Sequence, residues 1–285
     1  MISTAFEYTR AASLDDALAK LGAANGGGKL IAGGHSLVPL MKLRLSEPKV
    51  LIDIARIPGL SGISTKDGRI EILAGTVHHD VASSDLLKQA CPMVAEAAAE
   101  IGDPQVRNRG TLGGSLAHAD PAADYPAVML ALEADVHVKG PGGSRVIKAQ
   151  DFFQAMFTVD LAPDEIITGV QFKPVKAAAY AKLHQRASHF AIVGVAAALD
   201  VSGGVIQSAR IGLTGASSHA TRLTEVEQAL AGQALSLDNI ERAARPAGGS
   251  VIDVNSDIHA SEDYRRAMIP VFTRRALARA LARAH

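Results

Sequence analysis

The sequence predicts an α+β protein built as two mixed units followed by a sheet covered by helices. Three observations predict it. In the first 174 residues, short strand-like runs at 29–32, 50–54, 69–74 and 165–172 alternate irregularly with helical patterns. Two longer apolar runs, 191–201 and 205–214, are joined by Ser202-Gly203-Gly204, which is a hairpin signal. Beyond Leu223 the chain reads as helical to its end.

The elements follow in order. Ser13-Leu14-Asp15-Asp16 is a capping box with Asp in place of Glu, and it starts an amphipathic helix running to about Leu21. Asn25-Gly26-Gly27-Gly28 breaks the chain. The strand at 29–32 ends abruptly in Gly33-Gly34-His35-Ser36, and a helix is expected over 37–45 before the strand at 50–54. Ile57-Pro58-Gly59-Leu60 is a connector. It places the first subdomain boundary, and the texture changes from about Lys173, so that 1–57, 58–174 and 175–285 form three units. The second unit holds the strand at 69–74 and helices at 77–88 and 92–101, with Pro92 at a first helical position, where a missing N–H costs nothing. A long polar segment, 102–124, leads to a short helix at 125–132. Strands follow at 135–139, 145–149 and 165–172, the first two joined by the turn Gly140-Pro141-Gly142-Gly143. Ser261 caps a last, basic helix with Tyr264, Met268, Val271, Phe272 and Leu277 on its apolar side, and Pro270 is expected to kink or split it.

Composition excludes several classes. Apolar residues are 48% and charged residues 20% of the 285, a balance that supports a packed core rather than disorder. Lys plus Arg and Asp plus Glu number 29 each, so no net basic field points to nucleic acid. No apolar run is long enough for a membrane span, and no basic segment followed by an apolar stretch marks secretion, so a cytoplasmic location is expected. The single cysteine, Cys91, reads as a buried or helix-start thiol. One thiol can build neither an internal disulfide nor an iron–sulfur site.

Two glycine-bearing segments could carry chemistry. The first, Ala32-Gly33-Gly34-His35-Ser36, joins a strand to a helix; the second, Arg109-Gly110-Thr111-Leu112-Gly113-Gly114-Ser115-Leu116, lies in the polar segment. Glycine lets backbone approach a ligand, and consecutive free N–H groups at a helix start suit a diphosphate. Two such segments could clasp one dinucleotide. The common phosphate-loop designs are absent: Gly26 and Gly28 begin G-x-G-x-x-G but meet Ile31, Gly140 and Gly142 meet Arg145, and Gly28-Lys29 is followed by Leu30 rather than Ser or Thr. The residues alone leave each glycine pair open between a tight turn and a dinucleotide loop.

The run from Lys29 to Lys42 (KLIAGGHSLVPLMK) closely resembles the first flavin loop of the FAD-binding medium subunit of the carbon monoxide dehydrogenase and xanthine dehydrogenase family. The run from Ile101 to Ser115 (IGDPQVRNRGTLGGS), continuing through His118-Ala119-Asp120-Pro121-Ala122-Ala123-Asp124, resembles its second. Ala187 to Ala196 and Asp263-Tyr264-Arg265-Arg266 are also similar, so the resemblance spans essentially the whole chain. It implies a vanillyl-alcohol-oxidase-type FAD-binding fold in two subdomains and a C-terminal α+β domain. It implies that FAD is held by backbone at Ala32, Gly33, Gly34, His35 and Ser36 and at Thr111, Gly113, Gly114 and Ser115. Asp124 matches a flavin-contacting Asp, Ile167 a residue along the flavin, Lys182 a lysine near the isoalloxazine ring, and Phe190 a position where some relatives have Tyr beside it. Ser115 departs from the Asn of many relatives, at the expected loss of one side-chain hydrogen bond.

Each assignment has a plainer structural alternative. Asp124 could cap a helix, Lys182 could be a solvated edge charge, and Phe190 could be core. His78-His79 reads as surface, His184 and His189 lack metal-ligand spacing, and Arg265, Arg266, Arg274 and Arg275 read as a solvated or subunit-facing helix side. No Ser-His-Asp pattern or carboxylate pair stands out, so no catalytic side chain and no metal ligand is assigned. The resemblance implies an electron-transfer subunit whose partners are a small chain with two [2Fe-2S] clusters and a large molybdenum-cofactor chain, as a dimer of heterotrimers. A free-standing FAD-dependent oxidoreductase and a non-catalytic FAD-binding module are the alternatives. Carbon monoxide, N-heteroaromatics and aldehydes all fit as substrates of the complex, since the resemblance puts substrate oxidation on the large chain.

Overall fold

The computed structural model describes residues 2–284. The first unit contains β1 (Glu7–Arg10), α1 (Leu14–Ala23), β2 (Gly28–Ile31), α2 (Leu37–Lys42) and β3 (Val50–Asp53). Its three strands lie in the order β1-β3-β2 and are all parallel. Helix α1 starts where the capping signal predicts, with Ser13 Oγ accepting from the Asp16 amide at 3.1 Å. Helix α2 stops at Lys42, short of the expected 45.

The second unit begins with β4 (Ile63–Lys66), β5 (Arg69–Leu73), α3 (His78–Ser83), α4 (Asp85–Ala90) and α5 (Pro92–Ala99). The helix expected over 77–88 is two helices. Ser84 is extended between them, and its hydroxyl accepts from the Leu87 amide at 3.3 Å to cap the second. Cys91 is fully buried at the N-cap of α5. Then come α6 (Pro104–Arg107), α7 (Leu112–His118), α8 (Asp124–Ala131), β6 (Asp135–Gly140), β7 (Gly143–Lys148), α9 (Ala149–Phe152), β8 (Phe153–Ala155), β9 (Thr158–Val159) and β10 (Ile166–Phe172). The polar segment is thus partly helical. Its Asp103 and Thr111 side chains cap α6 and α7 by accepting from the Val106 and Gly114 amides. A five-stranded sheet runs β4-β5-β10-β6-β7, with β10 antiparallel to both neighbours. Its register shifts between Ile167 and Gly169, a bulge that re-aims the strand there.

The C-terminal unit holds β11 (Ala178–His184), β12 (Ala191–Ser202), β13 (Val205–Thr214), β14 (Thr221–Arg222), α10 (Thr224–Leu230), α11 (Leu237–Ala244) and α12 (Glu262–Leu281). Strands β12 and β13 form the expected hairpin. Gly203 and Gly204 both take positive φ, 59° and 74°, as the tight primed turn between right-twisted strands requires. Pro270 does not split the last helix, which runs unbroken across it. Arg265 is not solvated: it is 2% exposed, its guanidinium donating to Ile192 O, Gly215 O and Asp257. Arg274 and Arg275 are exposed, as expected. Among the described residues no helix is long and apolar enough to cross a membrane.

Candidate functional site

Both glycine segments open on one cleft of about 440 Å³, within the usual range for cofactor sites. The first segment turns off β2. Gly34 is at φ 75°, a left-handed value that disfavours a side chain. No backbone carbonyl among the described residues accepts from the amides of Gly33, Gly34, His35 or Ser36. They form a run of free donors before α2, suited to an anionic or oxygen-rich ligand.

The second segment is different. The Gly113 amide donates to Ala74 O at 2.8 Å, Gly114 to Thr111 Oγ1 at 3.1 Å, and Ser115 to Thr111 O at 3.0 Å. These donors are engaged, so the expected matching pair of amide nests is not formed. Instead the glycines here allow close approach. A Cβ on Gly113 would meet Ala74 Cβ at 2.6 Å, and one on Gly33 would meet Arg109 O at 2.1 Å. The two segments therefore touch backbone to backbone.

Of the sequence-predicted residues, Ala32, Gly33, Gly34, His35, Ser36, Thr111, Gly113, Gly114, Ser115, Asp124, Ile167 and Phe190 all line this cleft. The β10 bulge directly follows Ile167. Phe190 is 43% exposed at the rim, so it is not core, and it follows His189, whose φ is 62°. Lys182 is not among the lining residues. It stands behind the wall, its ammonium 2.8 Å from Asp124 Oδ1 and donating to Glu100 O at 2.8 Å and His189 O at 2.7 Å. Its side chain is fully buried, so it is no edge charge. Tyr180 Oη donates to the same Asp124 oxygen at 2.6 Å. Burial pushes the Asp124 carboxyl up, against the pull of Lys182 and Tyr180. Asp124 is the first helical residue of α8, and the N-cap is Ala123.

Sequence reasoning missed His78, which was read as surface. It is 5% exposed, lines the cleft, and has Nδ1 3.2 Å from Tyr125 Oη, while His79 is exposed. An apolar partner pattern could not have found it, because its partner lies 47 residues away. His184 and His189 stack at 5.0 Å, and no group of three metal-ligating side chains occurs among the described residues. A second, larger concavity of about 820 Å³ touches neither glycine segment. Four of its lining cations are paired within the chain, Arg69 and Lys148 with Asp135, Arg222 with Glu227 and Arg283 with Glu96.

Residues 4–174 match the model of the FAD-binding domain in molybdopterin dehydrogenase, and residues 178–280 that of the CO dehydrogenase flavoprotein C-terminal domain. This chain belongs to that flavoprotein family. It is 38% identical to the carbon monoxide dehydrogenase medium chain of Hydrogenophaga pseudoflava over 99% of both chains. It is 40% identical to a 6-hydroxypseudooxynicotine dehydrogenase complex subunit alpha of Paenarthrobacter nicotinovorans, over 98% of this chain and 95% of the other. A solved structure of carbon monoxide dehydrogenase from Hydrogenophaga pseudoflava superposes with a TM-score of 0.95 at 39% identity, covering 100% of both chains. The chain is therefore an FAD-dependent oxidoreductase subunit, the medium chain of a molybdenum hydroxylase. Its fold is the expected FAD-binding domain followed by an α+β C-terminal domain, and its cofactor is FAD.

Proposed function

We propose that this chain takes electrons from [2Fe-2S] clusters on a partner chain and passes them to a final acceptor through FAD held in the 440 Å³ cleft. The observation that carries this is the convergence on that one cleft of twelve residues from distant parts of the chain that the resemblance implies, with free amides from Gly33 to Ser36 on one side. Those amides would hold the diphosphate, with Thr111 and Ser115 opposite. Ile167 would lie along the flavin, and Phe190 would cover the ring at the exposed rim. FAD, when bound, supplies a centre that accepts electrons singly and releases them in pairs.

The chain's own residues bind and orient the cofactor and limit water access; none is placed to transfer a proton. Lys182 would act on the ring only through Asp124 and the wall segments it grips. Cys91 is fully buried, and burial pushes its thiol up to about 12, so this chain supplies no thiolate set for a cluster. The clusters would sit on a small partner and the molybdenum cofactor on a large one, as a dimer of heterotrimers. We place the unit boundaries at 57/58 and 174/175.

An absorption spectrum of the purified full chain, alone and with copurified chains, tests this. Flavin bands should follow the protein through gel filtration. Gly34→Val and Gly114→Val should each lower FAD affinity at least about tenfold, since one residue has positive φ and the other would drive a Cβ to 2.8 Å from Thr111 Oγ1. Iron–sulfur absorption should appear only with the partners, and their substrate should bleach the flavin. No flavin in either preparation would overturn the proposal.

A further inference from the structure

His78 opens α3 and is fastened to the second glycine segment. Its amide donates to Gly110 O at 2.9 Å, and Val77 bridges Thr111. The ring edge bearing Nε2 and Cδ2 lies against Gly110, where an added Cβ would fall 2.6 Å from Nε2. The other nitrogen, Nδ1, faces Tyr125 Oη at 3.2 Å. Tyr125 is fully buried, and its hydroxyl has no other partner among the described residues.

That pairing assigns the tautomer. Burial, reinforced by the Asp124 carboxylate, holds the phenol well above its ordinary ionisation range, so it keeps its proton. The proton has one acceptor within reach, Nδ1. The reverse arrangement, with Nδ1–H donating, would leave a buried O–H unsatisfied. The ring is neutral, because burial, with His35 and Arg107 nearby, lowers its pKa to about 4. Its single proton is therefore on Nε2, on the side of Gly110 and the cleft.

We propose that His78 Nε2–H is a hydrogen-bond donor to the diphosphate of FAD, held in that tautomer by Tyr125. The inference rests on FAD occupying this cleft. The first glycine segment supplies free amides, but Gly113, Gly114 and Ser115 have theirs engaged. Among the described residues only the Thr111 amide of the second segment lacks an acceptor, so a further donor on that side comes from a side chain, and His78 sits where the two segments meet. Its Nε2 has no acceptor within the chain among the described residues.

The test is FAD binding by the full chain, followed by flavin fluorescence, in His78→Leu and His78→Gln. Leu removes the donor, and its dissociation constant should rise about 10- to 100-fold. Gln restores an N–H at similar reach and should recover most of the loss. Competition by ADP, which has the diphosphate without the flavin, should weaken by the same factor. A His78→Leu variant that melts like the parent and binds FAD equally well overturns the inference while leaving FAD in the cleft. Should Leu fail to fold, ¹⁵N NMR of the unmodified chain decides. An Nε2–H tautomer whose Nε2 resonance moves on FAD addition supports the role; an Nδ1–H tautomer, or no movement, overturns it. An unmodified chain that holds no FAD, alone or with its copurified chains, overturns the placing of FAD and this inference with it.

Discussion

Lys182 and Asp124 form an ion pair whose two side chains are 0% and 5% exposed. Two charges so deeply buried are stable only while each satisfies the other, because desolvation of either alone costs several kcal/mol. Here the pair is well satisfied. Lys182 has three acceptors, Asp124, Glu100 O and His189 O, which match its three N–H groups. Asp124 has both Lys182 and Tyr180. Lys182→Met should therefore lower stability by about 3–5 kcal/mol in urea denaturation, since it strands a buried carboxyl. Adding Asp124→Asn should recover a large part of that loss. Equal and additive effects of the two substitutions would mean that the pair is not coupled. Glu100 precedes the cleft residue Ile101, and His189 precedes Phe190. The Met variant should therefore also loosen FAD, which a surface lysine would not do.

Helix α8 carries a comparable role among the elements. All eight of its residues are buried, between α5 on one side and β12 and β13 on the other. A helix apolar all round shows no stripe, so periodicity could not say what it packs against. It lies hard against Gly212 of β13, where a Cβ would stand 2.0 Å from Ala127 O. Gly212→Ala must push the helix off the strand. It should cost about 3 kcal/mol, the upper end for overpacking, and should lower FAD affinity because α8 begins at Asp124. Unchanged thermal stability would show that the backbone yields easily there.

Legibility in the sequence follows the same division between local and distant causes. The Ser13 cap, the Gly203-Gly204 hairpin and the helix at Pro92 rest on a few neighbouring residues, and each forms where expected. Strand β1 was missed because its place depends on pairing with β3 some 40 residues on. Ser84 reads as an ordinary helical position until its extended backbone and hydroxyl cap are seen. The backbone of the cleft was legible in its glycines. The burial of His78, Lys182 and Arg265 was not, because His78 and Lys182 owe it to partners 47 and 82 residues away and Arg265 to carbonyls 50 and 73 residues away.

At the scale of the molecule, the four-stranded sheet is shared by two cores. On β11 and β12, Ala178, Tyr180, Ala196 and Ala198 face the apolar cluster that continues through α8 and α5 to Ile52 and Leu21. The alternate residues Ala179, Ala181, Val195, Ala197 and Leu199 face α10, α11 and α12. The strict alternation is that of a sheet covered on both sides, and the small alanines let helices lie close against it. Arg279 and Arg283 of the C-terminal segment add hydrogen bonds to Tyr180 O and Ala178 O, and Arg283 also pairs with Glu96 of α5. Neither core can be exposed without stripping a face from the sheet that the other also uses. Chains of this size commonly unfold in stages, but this arrangement predicts one transition. Scanning calorimetry of the full chain should show a single peak whose calorimetric and van't Hoff enthalpies agree. Added FAD should move that peak upward as a whole, by mass action on the native state alone. Two resolved peaks, with only the earlier one responding to FAD, would mean that the C-terminal unit is energetically separate. The shared sheet would then be a contact between domains rather than one core seen from two sides.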